Sequence, residues 1–147
     1  MAIEELQEQI NNGSIDPNFA MGEFDCDGLK RINDEYGHEK GDIYLKKACR
    51  TISDVFKRSP VYRVGGDEFF IILQHEDFHN LSYLLKRFDV VVENINASSR
   101  DPWEKVSLSR GFAIYDPAED NIVQKIMDRA DKLMYENKRE RKMEREN

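Results

Sequence analysis

The chain has 147 residues, 35% of them charged, with a formal net charge of −7. That length favours one domain with a real core, and the acidity argues against binding DNA or RNA through a broad basic face while leaving room for a metal-bound nucleotide. Cys26 and Cys49 lie far apart and outside any paired spacing, so neither a thiolate zinc site nor a disulfide framework is expected. No apolar run approaches the roughly 20 residues of a membrane span. The expectation is a reducing, cytoplasmic setting, with any membrane anchor in an upstream part of a longer parent.

Ile3, Leu6 and Ile10 recur at spacings of three and four and predict an amphipathic helix over Ala2–Ile10, stopped by Asn11, Asn12 and Gly13. After Asp16-Pro17, Phe19 to Phe24 reads as a buried strand that delivers Asp25 just past its end. Leu29, Ile32 and Tyr36 predict a short helix. After Gly41, Ile43, Leu45, Ala48, Ile52, Val55 and Phe56 predict a longer one through about Lys57, with Asp42 near its positive end.

Ser59-Pro60 interrupts that helix. Val61–Val64 and Asp67–Leu73, joined by Gly65-Gly66, form the economical β-hairpin, with Asp67 and Glu68 at its tip. Asp77 to roughly Ile95 carries a helical apolar stripe, and about Val106 to Tyr115 reads as a strand in which Gly111 permits a bulge or a close backbone approach. A last helix begins near Asn121 with Ile122, Ile126, Ala130, Leu133 and Met134 on one face, and its charged end, Lys138 to Asn147, is expected to fray, above all residues 139–147. This order favours an α/β chain of the α+β kind, a mixed sheet covered by helices, over a coiled coil or an all-β domain. Neither the Rossmann nor the Walker A glycine spacing occurs.

Two stretches carry closely spaced acids, FDCDGLKRINDEYGHEKGD and RVGGDEF. Asp25 and Asp67, brought together from different strands, offer hard anionic oxygens suited to Mg²⁺ or Mn²⁺, yet solvated acids at strand ends are common. Asn33 and Asp42 are open to plain readings as a polar helix end and a favourable helix-start charge. The run from Lys138 to Arg145 reads equally as a solvated helix end, and His38 as a turn residue, because no histidine cluster accompanies it. Lys30 is balanced between phosphate and solvent. Arg63 either orients acids or makes a surface ion pair. Trp103 and Tyr115 are expected to pack around the later sheet, and Arg110 has no assignment.

With these two motifs in order, and with LSRGFA and ADKLMYENK following, the chain resembles a GGDEF-domain diguanylate cyclase from before Phe19 to about Lys142. The resemblance implies the palm of the class III nucleotidyl cyclases, with a central antiparallel-rich sheet surrounded by helices, and the joining of two GTP into cyclic di-GMP with release of two pyrophosphates. It implies metal ligation by Asp25, Asp67 and the backbone carbonyl of Cys26, with Glu68 assisting 3′-hydroxyl activation or metal organisation. Guanine contacts fall to Asn33 and Asp42, close nucleotide approach to Gly65 and Gly66, and phosphate contacts to Lys138 and Lys142. The implied partners are GTP, a second GGDEF subunit in a symmetric homodimer, and an attached sensory or regulatory domain.

Two departures stand out. Phe56-Lys57-Arg58-Ser59 occupies the interval of the family's inhibitory RxxD, so product feedback through that site is not expected. The family's DxLTGLxNRR-like leading segment is also missing, and residues 1–147 read as a single catalytic domain that begins in what resembles the following helix. That second departure keeps an alternative open, a GTP-binding regulatory module without turnover. A protein-interaction domain that carries the motif by chance is the third reading.

Overall fold

Every residue of β1 (Phe19–Cys26) is buried, and the chain is built around it. The computed structural model describes residues 2–146, with side chains from 3 to 144. Because side chains alternate along a strand, β1 feeds two cores: Ala20, Phe24 and Cys26 enter one apolar cluster, and Phe19 and Met21 the other. Two strands flank it, β3 (Glu68–Gln74) and β4 (Leu108–Ile114), and β2 (Val61–Val64) lies outside β3. The sheet order is β2-β3-β1-β4, and all three pairings are antiparallel.

Helices cover both faces. On the first, α3 (His38–Val55) and α5 (Leu81–Ser98) bury Tyr44, Leu45, Ala48, Ile52, Leu84 and Phe88, while α2 (Leu29–Tyr36) packs on α3. The Phe24 ring meets those of Phe56, Phe88 and Phe112 at centroid distances of 6.2, 5.4 and 5.6 Å, an arrangement that favours edge-on aromatic contact. On the second face lie α1 (Ala2–Asn12) and α6 (Val123–Glu146), which bury Leu6, Val123, Ile126 and Ala130.

Gly111 sets how closely α6 lies. A Cβ there would stand 2.2 to 2.8 Å from backbone atoms of Ala130, Leu133 and Met134, so only glycine lets helix and strand meet at this distance. The β1–β4 register runs unbroken from Ala20↔Ile114 to Cys26↔Leu108. Of the two uses expected for this glycine, the close approach is realised and the bulge is not.

Several boundaries differ from the sequence reading. β1 extends through Asp25 and Cys26, because Asp25 is still paired with Glu68 on one side and Ser109 on the other. α3 starts at His38 after Gly37 (φ 90°), which puts Asp42 one turn inside the helix rather than near its positive end. The stripe after Asp77 is split at Asn80 into α4 (His75–His79) and α5. Buried Asp77 accepts hydrogen bonds from Ser59 Oγ (2.6 Å) and Arg58 N (3.2 Å), which ties α4 to the link before β2 while α5 turns onto the core.

α6 begins at Val123, later than expected, and its buried stripe is Val123, Ile126, Ala130 and Met134; Ile122, just before the helix, and Leu133, on it, are exposed. Trp103 packs on Tyr36 at 4.8 Å and beneath Lys40, over α2 and α3 rather than the later sheet, while Tyr115 stacks on Phe19 at 4.7 Å. The charged end of α6 is helical through Glu146, and Asn147 lies outside the described residues. No described helix is long and apolar enough to cross a membrane.

Candidate cation and nucleotide site

The odd-numbered face of β1 changes character along the strand, from Phe19 and Met21 to Glu23 and Asp25. Asp25 is 3% exposed. Its neighbour across the β1–β3 ladder is Glu68, and Asp67 sits in the preceding turn, where its carbonyl accepts the Cys26 N–H at 2.8 Å. That hydrogen bond fastens the hairpin tip to the end of β1. One carboxylate oxygen each from Asp25, Asp67 and Glu68 lies within 4.8 Å of the other two. Trans ligands around Mg²⁺ stand roughly 4.2 Å apart, so three hard oxygens at this spacing fit a divalent ion of that size after a small side-chain adjustment.

Crowding these carboxylates has an electrostatic cost. Burial raises the Asp25 pKa to about 6, with the Asp67 charge adding to the rise and the Lys138 hydrogen bond opposing it. Glu68 is raised first by burial, then by Asp67 and Asp131. Lys138 Nζ donates to Asp25 Oδ2 at 2.6 Å, and that bond holds the ammonium above its ordinary pKa. A cation placed among the acids relieves the same repulsion.

The other expected residues fall into place unevenly. Gly65 (φ 75°) and Gly66 form the turn leading to Asp67, where Arg63 Nη2 donates to the Gly66 carbonyl at 2.7 Å, so Arg63 braces the turn. Asn33 and Asp42 lie on adjoining helices, α2 and α3. A Cβ at Gly41 would come 1.8 Å from Asn33 Oδ1, so this glycine lets the amide sit against the start of α3, one residue from Asp42. Asn33 is half-buried and Asp42 exposed. The Cys26 side chain enters the first-face core, where burial pushes its thiol pKa up, so the thiol does not face the acids. Lys142 is exposed and makes no ion pair with a described residue.

Three further residues surround the site: Glu23 and Arg141 were not singled out from the sequence, and Asp27 is not the first choice there as a direct metal ligand. Asp27, buried at the end of β1, accepts Ser109 Oγ at 2.7 Å on one carboxylate oxygen, and Ser107 Oγ at 3.0 Å and Arg141 Nε at 3.2 Å on the other. Tyr44 donates to its backbone carbonyl at 2.6 Å. These bonds make Asp27 a junction of β1, β4, α3 and α6 and leave it poorly placed to ligate a metal. Glu23 is 1% exposed and its Oε2 has no hydrogen-bond partner among the described residues. Burial, then Asp131 on α6, raises its pKa to about 8. The signal for Arg141 was legible: Met134, Lys138 and Arg141 continue the α6 stripe at steps of four and three. A cavity of about 480 Å³ between α5 and the end of α6 has none of the three clustered acids among its lining residues.

The fold is a four-stranded antiparallel sheet covered by helices, with three carboxylates, Asp25, Asp67 and Glu68, gathered at one end of its two central strands. The family model for "Diguanylate cyclase, GGDEF domain" matches residues 1–144, and the chain belongs to that family. Among curated proteins, it is 30% identical over 138 residues to the bifunctional diguanylate cyclase/cyclic di-GMP phosphodiesterase MucR of Pseudomonas aeruginosa, covering 92% of this chain and 20% of MucR. It is 31% identical over 115 residues to diguanylate cyclase DgcS of Shewanella oneidensis, covering 78% of this chain and 37% of DgcS. The chain therefore spans well under half of either relative. Among solved structures, the GGDEF domain of DgcB from Caulobacter crescentus in complex with c-di-GMP superposes with a TM-score of 0.72 at 26% identity, covering 92% of this chain and 81% of that one. Diguanylate cyclase SiaD from Pseudomonas aeruginosa, in complex with its activator SiaC, matches in fold with a TM-score of 0.76 at 24% identity, covering 95% of this chain and 54% of that one.

Proposed function

We propose that this chain is a diguanylate cyclase that converts two GTP to cyclic di-GMP and two pyrophosphates. The observation that carries the reading is the convergence of Asp25, Asp67 and Glu68 beside Lys138, acids and a cation drawn from β1, the hairpin turn, β3 and α6. Asp25 and Asp67, with the Cys26 carbonyl, would hold Mg²⁺ or Mn²⁺. When bound, such an ion supplies Lewis-acid stabilisation of charge on the α-phosphoryl group and the departing pyrophosphate.

The remaining work falls to the chain's own groups. Glu68 borders Asp67, and its raised pKa suits a carboxylate asked to take a proton from a ribose 3′-hydroxyl or to organise the ligands. The Gly65-Gly66 turn has no side chain to keep nucleotide from backbone. Lys138 and Lys142 provide point charges for β- and γ-phosphates, Lys138 from within the acid cluster and Lys142 from the exposed side of the same helix. Asp42 accepts from the N1–H and exocyclic amine of guanine while Asn33 meets its complementary edge; adenine lacks that donor pair. Each half-site must offer a hydroxyl to the other nucleotide's α-phosphate, which calls for two GTP-loaded copies facing one another.

The test is chromatographic. Incubated with GTP and Mn²⁺ or Mg²⁺, the chain is expected to release cyclic di-GMP at a specific activity that rises with protein concentration. A blank product trace across a wide concentration range, with GTP bound, would instead leave a nucleotide-binding module. Asp42→Ala is expected to lower the preference for GTP over ATP by about 10-fold or more; an unchanged preference would remove Asp42 from base recognition.

A further inference from the structure

The stripe by which α6 contacts the sheet changes chemistry along its length. Val123, Ile126, Ala130 and Met134 are buried, and apolar anchoring ends at Met134. Beyond that point the described ties from α6 to the sheet side are polar: Asn137 Oδ1 accepts the Arg110 N–H at 2.9 Å, Lys138 reaches Asp25, and Arg141 reaches Asp27 and Ser107. Arg141 makes two of these contacts, Nε to Asp27 Oδ2 at 3.2 Å and Nη2 to Ser107 Oγ at 3.0 Å. Its target is immobile, since Asp27 is 5% exposed and bonded to Ser107, Ser109 and, through its N–H, the Ser107 carbonyl. Lys138 lies three residues earlier on the same helix face. With only the single Asn137 bond before it, a flexible ammonium on a helix end not held beyond it would sample many positions.

We propose that Arg141 is a positioning residue: clamped to Asp27 and Ser107, it fixes the last turns of α6 so that Lys138 is held over Asp25. Its use in phosphate binding rests on the cyclase reading, whereas the clamp itself does not. Arg141 acts through Lys138, so the two residues form one unit, and substitutions within a unit are not additive. Lysine at 141 keeps the charge but loses the two-pronged grip, and it restores the function only in part.

The experiment uses the full chain, with amide hydrogen exchange read over residues 138–146 and GTP affinity measured by calorimetry in Mn²⁺. Arg141→Met is expected to speed exchange in that segment, to leave the sheet unchanged, and to weaken GTP binding about 5- to 10-fold. In a Lys138→Met background, which already binds weakly, the same change is expected to add less than about 2-fold. Arg141→Lys should recover part of the loss. Should Arg141→Met fold poorly, Ser107→Ala removes one prong and is expected to move both readouts in the same direction by less. Unchanged exchange at the end of α6, or losses that multiply in the double variant, would overturn the proposal. If the parent chain bound no GTP, the cyclase reading would fall, and faster exchange in Arg141→Met alone would still support the clamp.

Discussion

β1 and α6 meet along one seam whose two ends follow different rules. At the first end, Phe19 and Met21 share an apolar cluster with Val123, Ile126 and Ala130. At the other, Asp25 and Asp27 face Lys138 and Arg141. Burial stabilises the apolar end directly, by roughly 25 cal/mol for each Å² removed from water. The charged end gains little by comparison, because desolvating its carboxylates offsets much of the attraction. Glu23 and Asp131 mark the changeover, a buried carboxyl beside a half-buried one, with one Glu23 oxygen unmet among the described residues. The contrast teaches that the apolar end places the charged one: Gly111 brings α6 down onto β4, and the helix carries its cations over the acids.

The largest expected effect comes from breaking the charged end. Asp67→Ala should lower GTP turnover about 100- to 1,000-fold, while urea unfolding shifts by less than about 1 kcal/mol. A comparable loss of stability would mean that the acids hold the fold rather than a cation. At the apolar end Ile126→Ala should do the reverse, costing about 2–5 kcal/mol in urea unfolding and leaving the Mn²⁺ affinity of the folded protein nearly unchanged. A drop in metal affinity at full folding would show that the two ends are not separable.

Glu23 sharpens the boundary through pH. Its native pKa, about 8, lies above the ordinary 4.5, so the folded chain keeps a proton that the unfolded chain gives up. Its stabilising contribution is complete below about pH 4.5 and is lost as pH rises through 8, because the native state binds more protons across that window. Asp25, raised from 3.8 to about 6, adds a fall of the same sign at lower pH. In chelator, unfolding free energy should therefore decline by several kcal/mol, on the order of 4–5, between pH 5 and 9, and Glu23→Gln should flatten the upper part of that decline. A flat parent profile would mean that Glu23 ionises freely. The smallest effect is expected at Lys142, an exposed phosphate contact on the outer side of the helix, where Lys142→Met should weaken GTP binding by about 2- to 3-fold. A loss as large as that of Lys138→Met would show that the outer side of α6 holds the phosphates as firmly as the inner one, and no loss at all would remove Lys142 from phosphate binding.

The helix-covered sheet was legible in sequence because the short apolar run Phe19–Phe24 reads as a buried strand and the four-residue spacing of Ile126, Ala130 and Met134 reads as a packed helix face. The acids of the site were legible because they lie beside those strands. The start of α3 was misplaced because Gly41 reads as a stop, whereas here it lies inside a helix to make room for Asn33. The tie between Asp27 and Arg141 was missed for a different reason. The two residues are 114 apart in the chain, and although the stripe spacing carries on through Lys138 to Arg141, nothing local tells what that face of the helix meets.

The most direct test of the charged end is Mn²⁺ binding in the presence of GTP, followed by electron paramagnetic resonance on the parent chain and on Asp25→Asn. The parent should take up the ion with the nucleotide, and the variant should lose most of that uptake while remaining folded. Equal uptake by both would mean that Asp25 and its neighbours form an ion-paired strand end, and the proposed chemistry would have no place to occur.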